Sequence, residues 1–440
     1  MSLIPKISLR IAIFMIFSFI SFALDFHKVV EMGDSATDIN SSDRMNRTPL
    51  HNAAAGGMND VLVKLINQGA QVNTRDIYGS TPLHETVFYG HEDTVKILLA
   101  HGAEVNACRP DGSTPLHMAR ESGNQKMTDL LLKNGAKDMQ KVFPELKGDY
   151  LGQQVPGKQG VMFAPGIISK AESRDLMHGF FDKGKLFVLY RYPNDFKGNW
   201  TQWPVFLMKQ KGEKWGALYQ SKLKGKPWFY NLESVPKGER VIFAWTINRD
   251  GSGPAKELYL WSSIKIPSGW TKPLRFEAPI NQGFDTWPSL SSDKTLYFIS
   301  RRAGGEGRID IYISIPEKGK YKSVKSLSKP INTEFIDEDP YIALDGSYLL
   351  FNSNRPGGYG EHDIYITYRK LDGSWSKPIN LGNKINSKYS ECRVYVSPDG
   401  KYLFYTSTRA GSLDTFWADA GIIEELRPEE LKRGGYGFEK

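Results

Sequence analysis

Four short pieces follow one another in this chain: Asp339-Pro-Tyr-Ile-Ala-Leu-Asp-Gly346, Tyr348-Leu-Leu-Phe-Asn-Ser-Asn-Arg-Pro-Gly-Gly358, Asp363-Ile-Tyr-Ile-Thr367 and Trp375-Ser-Lys-Pro-Ile-Asn-Leu-Gly382. Each is rich in β-branched and aromatic residues, and a Gly, Asp or Pro turn separates it from the next. That pattern predicts four successive antiparallel strands. One such sheet cannot bury both faces alone, so it must recur. The Asp345-Gly346 turn returns at Asp399-Gly400, with weaker versions at Asp293-Lys294, Lys237-Gly238 and Lys183-Gly184, a period of about 54 residues.

A four-stranded unit at that period predicts a β-propeller of five blades, with six as the alternative. Inner strands are expected at Leu176–Phe181, Phe229–Ser234, Pro288–Ser291, Tyr341–Leu344 and Arg393–Val396. The fifth copy lacks a fourth strand of its own. Phe163-Ala-Pro-Gly-Ile-Ile168 is expected to supply it and close the ring, removing the free sheet edges. The local motif resembles the WD-like propeller repeat of TolB-type periplasmic proteins: an Asp-Gly turn, an aromatic strand, Ser-x-Arg, then Asp-Ile-Tyr. The resemblance covers Asp285 to Trp417. The first two copies depart, with Pro204-Val-Phe and Glu257-Leu-Tyr in place of Asp-Ile-Tyr. Arg355 and Asp363 recur as Arg302/Asp310 and Arg409/Asp414, and are expected to form ion pairs or turn hydrogen bonds within each blade.

Upstream, Thr-Pro-Leu-His occurs at Thr48, Thr81 and Thr114, 33 residues apart each time. Each copy continues with a short helix and an apolar-periodic second helix, such as Val95-Lys-Ile-Leu-Leu99. Gly69-Ala70, Gly102-Ala103 and Gly135-Ala136 close the units. Thr caps the first helix, Pro sits in its first turn, and Gly accepts the left-handed position after the second. This resembles the ankyrin repeat. Full repeats fall at about 46–78, 79–111 and 112–140, and Asp25 to Asn40 reads as a degenerate N-terminal cap. The resemblance implies that His51, His84 and His117 tie neighbouring hairpins together. It also implies a protein-binding surface on the hairpin tips and first helices, here Ile77, Tyr78, Glu85, Phe88, Tyr89, Met118 and Glu121.

The fold class is thus multidomain, a helical ankyrin solenoid followed by an all-β propeller. The expected domains are a signal peptide at 1–23, repeats at 24–140, a linker at 141–160, the propeller at 161–425 and a tail at 426–440. The signal rests on Lys6 and Arg10, the apolar run Ile11 to Phe22, and small residues at Ser21 and Ala23. Twelve apolar residues span about 18 Å as helix, too short for a bilayer core of about 30 Å. The expectation is export, to the periplasm in preference to the medium, with no integral membrane segment after cleavage. The net charge of +8 is scattered over 57 Lys and Arg without a basic stripe, which disfavours nucleic acid. Two cysteines, Cys108 and Cys392, are read as unrelated free thiols, with a bridge between the two domains as the alternative, and can build no metal site.

Chemistry is sought among acids before the inner strands: Asp175, Asp285, Asp339 and Glu391 as channel candidates, with Trp287 and Tyr341 nearby. A glycosidase needs two carboxylates about 5–10 Å apart. Polar strand entrances are common to propellers, so solvated or turn-capping acids are the competing reading. The chain has no Gly-x-Ser-x-Gly elbow, His-Glu-x-x-His, P-loop or dinucleotide fingerprint. No catalytic residue, cofactor or metal is therefore assigned. The expected function is an exported interaction or scaffold protein, the array gripping a protein partner and the propeller a second partner, peptide or envelope component. The alternative is a propeller enzyme acting on carbohydrate, with the array as a targeting module.

Overall fold

A computed structural model describes residues 39–432, except 44, 140, 142–143, 171–172, 182, 194–204, 221–229, 235–239, 248–253 and 267–268. The expected signal segment, the Asp25–Glu31 part of the cap and the last eight residues lie outside the described set. The chain divides into two compact units, 1–142 and 143–440.

The first unit holds three helix pairs: Pro49–Ala55 with Asn59–Asn67, Pro82–Tyr89 with Glu92–Ala100, and Pro115–Glu121 with Gln125–Lys133. The Thr-Pro-Leu-His tetrapeptide starts each first helix for a specific reason. Thr is extended at the N-cap and Pro occupies the first turn. His sits three residues after the cap, where Glu serves in a capping box. His51 Nδ1 accepts from Thr48 N at 3.2 Å, His84 Nδ1 from Thr81 N at 3.1 Å and His117 Nδ1 from Thr114 N at 3.1 Å. The far nitrogen of His51 lies 3.1 Å from the Ser80 carbonyl in the next repeat. Leu50, Leu83 and Leu116 point inward, and with Leu62, Leu98 and Leu131 of the second helices they form the core.

A second ladder runs through the hairpins. Asn73 donates to Gly102 O and accepts from Glu104 N, while Asn106 donates to Gly135 O and accepts from Lys137 N. Asn40 repeats both bonds with Gly69 O and Gln71 N. The degenerate repeat therefore joins the array in register.

In the second unit, five sheets of four or five strands stand in a ring. Their innermost strands are Ser173–Phe181, Tyr230–Ser234, Thr286–Leu290, Asp337–Ile342 and Glu391–Val396. Strands of neighbouring blades touch all round, including the fifth blade against the first. The last blade is completed from upstream, with Val161 opposite Trp417 and Met162 opposite Phe416. Closure is thus as expected, two residues earlier than the sequence suggests. Phe163 follows as an anchor, its ring 5.1 Å from Trp417 and 5.2 Å from Phe404.

Three differences from the sequence reading have physical causes. The inner strands begin earlier, at Thr286, Asp337 and Glu391, because the acids there are buried partners and not loop residues. The outer strands are short, only Lys325–Ser326 and Ile379–Asn380 in blades three and four. Asparagine side chains take the place of the absent ladder. Asn281, Asn332 and Asn386 each accept from a third-strand N–H and donate to the same residue's carbonyl, at Leu260, Ile311 and Ile364. Finally, the stretch expected as a linker is docked from Leu146 onward. Trp215 N donates to Leu146 O at 2.9 Å, Trp215 Nε1 to Gly148 O at 2.7 Å and Tyr150 Oη to Asp399 at 2.7 Å.

Candidate functional site

On the ankyrin unit the seven surface candidates separate by burial. Phe88 and Tyr89, at the end of helix Pro82–Tyr89, are 40% and 49% exposed, with ring centroids 4.9 Å apart, edge to face. Tyr89 also stacks on His91 at 6.4 Å. Gly90 follows in the left-handed conformation, φ 81°, and turns the chain away from the pair. Glu121 is exposed and 3.0 Å from Lys141 Nζ. Ile77 and Met118 are half-buried, Met118 against the array core. Tyr78, at 3% exposure, and Glu85 are buried. Glu85 pairs with Arg47 of the preceding repeat at 2.8 Å, a tie between repeats. Burial, reinforced by Glu85, raises the nearby Asp76 carboxyl to about 7.

In the propeller the acids separate as well. Asp175, Asp285 and Glu391 are fully buried and each meets an arginine from the end of the second strand. The distances are 2.6 Å for Asp175–Arg191, 2.5 Å for Asp285–Arg302 and 3.1 Å for Glu391–Arg409. Blade four has the same pair, Asp337–Arg355 at 2.6 Å. The recurring arginine therefore pairs with the first-strand acid, and the third-strand acid does something else. Asp363 accepts from the backbone N–H groups of Tyr359 and Gly360 and from Asn380 Nδ2, tying down the preceding loop. Asp310 likewise accepts from Gly307 N at 3.1 Å.

Asp339 lies two residues beyond that pair and differs from the other acids. Each inner strand of blades three to five carries a bulge two residues after its acid. There Trp287, Asp339 and Arg393 all take left-handed backbone angles, φ 51°, 52° and 53°. Non-glycine residues rarely hold this conformation, and such outliers concentrate at binding sites. Arg393 N donates to Asp339 Oδ2 at 3.1 Å, joining blades four and five. The Arg393 guanidinium sits 5.6 Å above the Trp287 ring, joining blades five and three. Blades three and five are not neighbours, so this contact crosses the central channel in front of blade four. Asp339 is 6% exposed, and its Oδ1 has no hydrogen-bond partner in the protein; Trp287 Nε1 is likewise buried without one. Burial, with a contribution from Glu338, raises the Asp339 carboxyl to about 7 against the opposing pull of Arg393.

The sequence reading included Asp339 and Trp287 and missed Arg393. The signal was present: at one position of an otherwise regular repeat, three copies carry an aromatic, an acid and a base. Among the described residues no cluster of three or more His, Cys, Asp or Glu could hold a metal ion. Cys108 and Cys392 are both free thiols. No described helix is long and apolar enough to cross a membrane.

Comparison with known families places one of the two units. A family model described as ankyrin repeats, in three copies, matches residues 23–108 and 50–142. Residues 23–142 carry ankyrin repeats. The match begins at residue 23, in agreement with the in-register role of Asn40 in the degenerate first unit. It does not extend into the five-bladed unit. No curated protein matches the chain.

Proposed function

We propose that this is an exported, two-module interaction protein whose ankyrin array grips a protein partner and whose TolB-like propeller engages a second ligand through its channel. The observation that carries the first half is the exposed Phe88–Tyr89 pair on a first helix of the array. Aromatic pairs of this kind make anchors at protein interfaces. Ankyrin repeats fit protein–protein interaction, and a propeller fits a binding role. Export rests on the Lys6/Arg10 and Ile11–Phe22 pattern, which agrees with a periplasmic setting and an envelope ligand.

The carbohydrate-enzyme alternative required two working carboxylates. Asp175, Asp285 and Glu391 are engaged by arginines, leaving Asp339 beside Glu338 as the channel candidate without an arginine ion pair. The arrangement favours recognition over two-carboxylate chemistry. The test is affinity capture from envelope extract with the wild-type chain and with Phe88→Ala/Tyr89→Ala. A partner retained by the first and lost by the second supports the reading; retention by both contradicts it.

A further inference from the structure

The channel cluster of blades three to five specifies the kind of ligand it would take. Arg393 links two groups there: Asp339 Oδ1, an acceptor more than nine-tenths buried and without a partner, whose other oxygen meets the Arg393 backbone N–H; and Trp287 Nε1–H, a donor without a partner, whose ring lies under the half-buried Arg393 guanidinium. Buried polar atoms left unpaired cost about 1–3 kcal/mol each, so a ligand that satisfies them gains affinity at these points. Elsewhere in these three blades, Thr286 Oγ1, Asn352 Oδ1 and Thr406 Oγ1 are also buried without partners in the protein.

The charge pattern narrows the choice. A cation would be repelled by Arg393, and an anion by Asp339 and the half-buried Glu338, whose Oε1 lies 3.4 Å from Asn352 Nδ2. A neutral group is favoured. It must donate to Asp339 and accept from Trp287. A hydroxyl does both from one oxygen. We propose that this end of the channel binds a neutral polyhydroxyl ligand, a saccharide, with Trp287 and Asp339 as its hydrogen-bonding anchors. The inference rests on the channel being the propeller's binding site and is independent of the array's partner.

The experiment is isothermal titration of the full chain with cellobiose, maltose and N,N′-diacetylchitobiose, and with acetyl-trialanine amide as the peptide probe. At least one disaccharide is expected to bind saturably and the peptide not to bind. Trp287→Phe keeps the ring and removes the donor; Asp339→Ala removes the acceptor. Each is expected to weaken disaccharide binding about tenfold, equivalent to about 1.4 kcal/mol, while thermal melting shows Trp287→Phe folded. Phe88→Ala/Tyr89→Ala should bind sugar as the wild type does, so failure of the partner reading stays separate from failure here. The proposal is overturned by no saturable disaccharide binding, by binding that Trp287→Phe leaves unchanged, or by peptide binding in its place.

Discussion

The Arg355 guanidinium meets the fully buried Asp337 carboxylate at 2.6 Å, fastening the first strand of blade four to the end of its second. It also lies over the rings of Phe351 and Tyr365, at 5.1 and 5.0 Å, and donates to the Ile331 carbonyl at 2.6 Å. The same fastening recurs in blades one, three and five. Removing one partner of a buried pair strands the other's charge, at about 3–5 kcal/mol. Arg355→Ala should therefore lower propeller stability by about that amount, measured by urea denaturation. Asp363→Asn, which alters only a loop tie, should cost less.

The asparagine clamps make a sharper comparison. Asn332 accepts from Ile311 N at 2.9 Å and donates to Ile311 O at 2.8 Å. Asn332→Asp preserves the acceptor and loses the donor, so it should not rescue the fold. Both Asn332→Ala and Asn332→Asp are expected to cost about 2–3 kcal/mol, read from the same denaturation curves.

Ring closure depends on a residue far upstream of the blade it completes. Phe163 is fully buried between Trp417, Phe404 and Phe187. Phe163→Ala should destabilise by about 3–5 kcal/mol, as for other buried aromatics. Deleting residues up to 162 should expose the edge of the strand Asp414–Asp419 and promote self-association, visible by light scattering.

The array carries an acid-sensitive element. Burial lowers His51 to about 4 and His84 to about 3, below the ordinary 6.5. The unfolded chain therefore takes up protons first, and these two residues' contribution is complete above about pH 6.5 and is lost as pH falls toward 4. Asp76, raised to about 7, acts in the opposite sense and is common to wild type and variant. The stability of wild type relative to His51→Asn/His84→Asn should therefore decline by a few kcal/mol from pH 7 to pH 4. A constant difference across that range would contradict the assignment.

Much of this was legible in sequence because repeats state their period several times. The 33-residue spacing placed Thr48, Thr81 and Thr114 at helix starts, and the Asp-Gly turns placed the blades. Pairings between strands were less legible. Arg355 stands eight positions before Asp363 and eighteen after Asp337, and nothing in either spacing says which acid a bulge and two strands bring near it. Asp337-Glu-Asp-Pro reads as a polar loop, yet Asp337 and Asp339 are buried because one has an arginine and the other a strained bulge. Tyr78 and Glu85 looked like surface residues by repeat position. Glu85 is instead turned to a cross-repeat ion pair, which repeat position does not encode.

The central claim is that two separate surfaces bind two separate ligands. Cross-linking capture from envelope extract, with wild type, Phe88→Ala/Tyr89→Ala and Trp287→Phe compared side by side, tests it most directly. The account predicts that the aromatic-pair variant loses a protein partner and keeps the channel ligand, while Trp287→Phe does the reverse. Loss of both ligands in either variant, or glycan turnover by the wild type that Asp339→Asn abolishes, would contradict it.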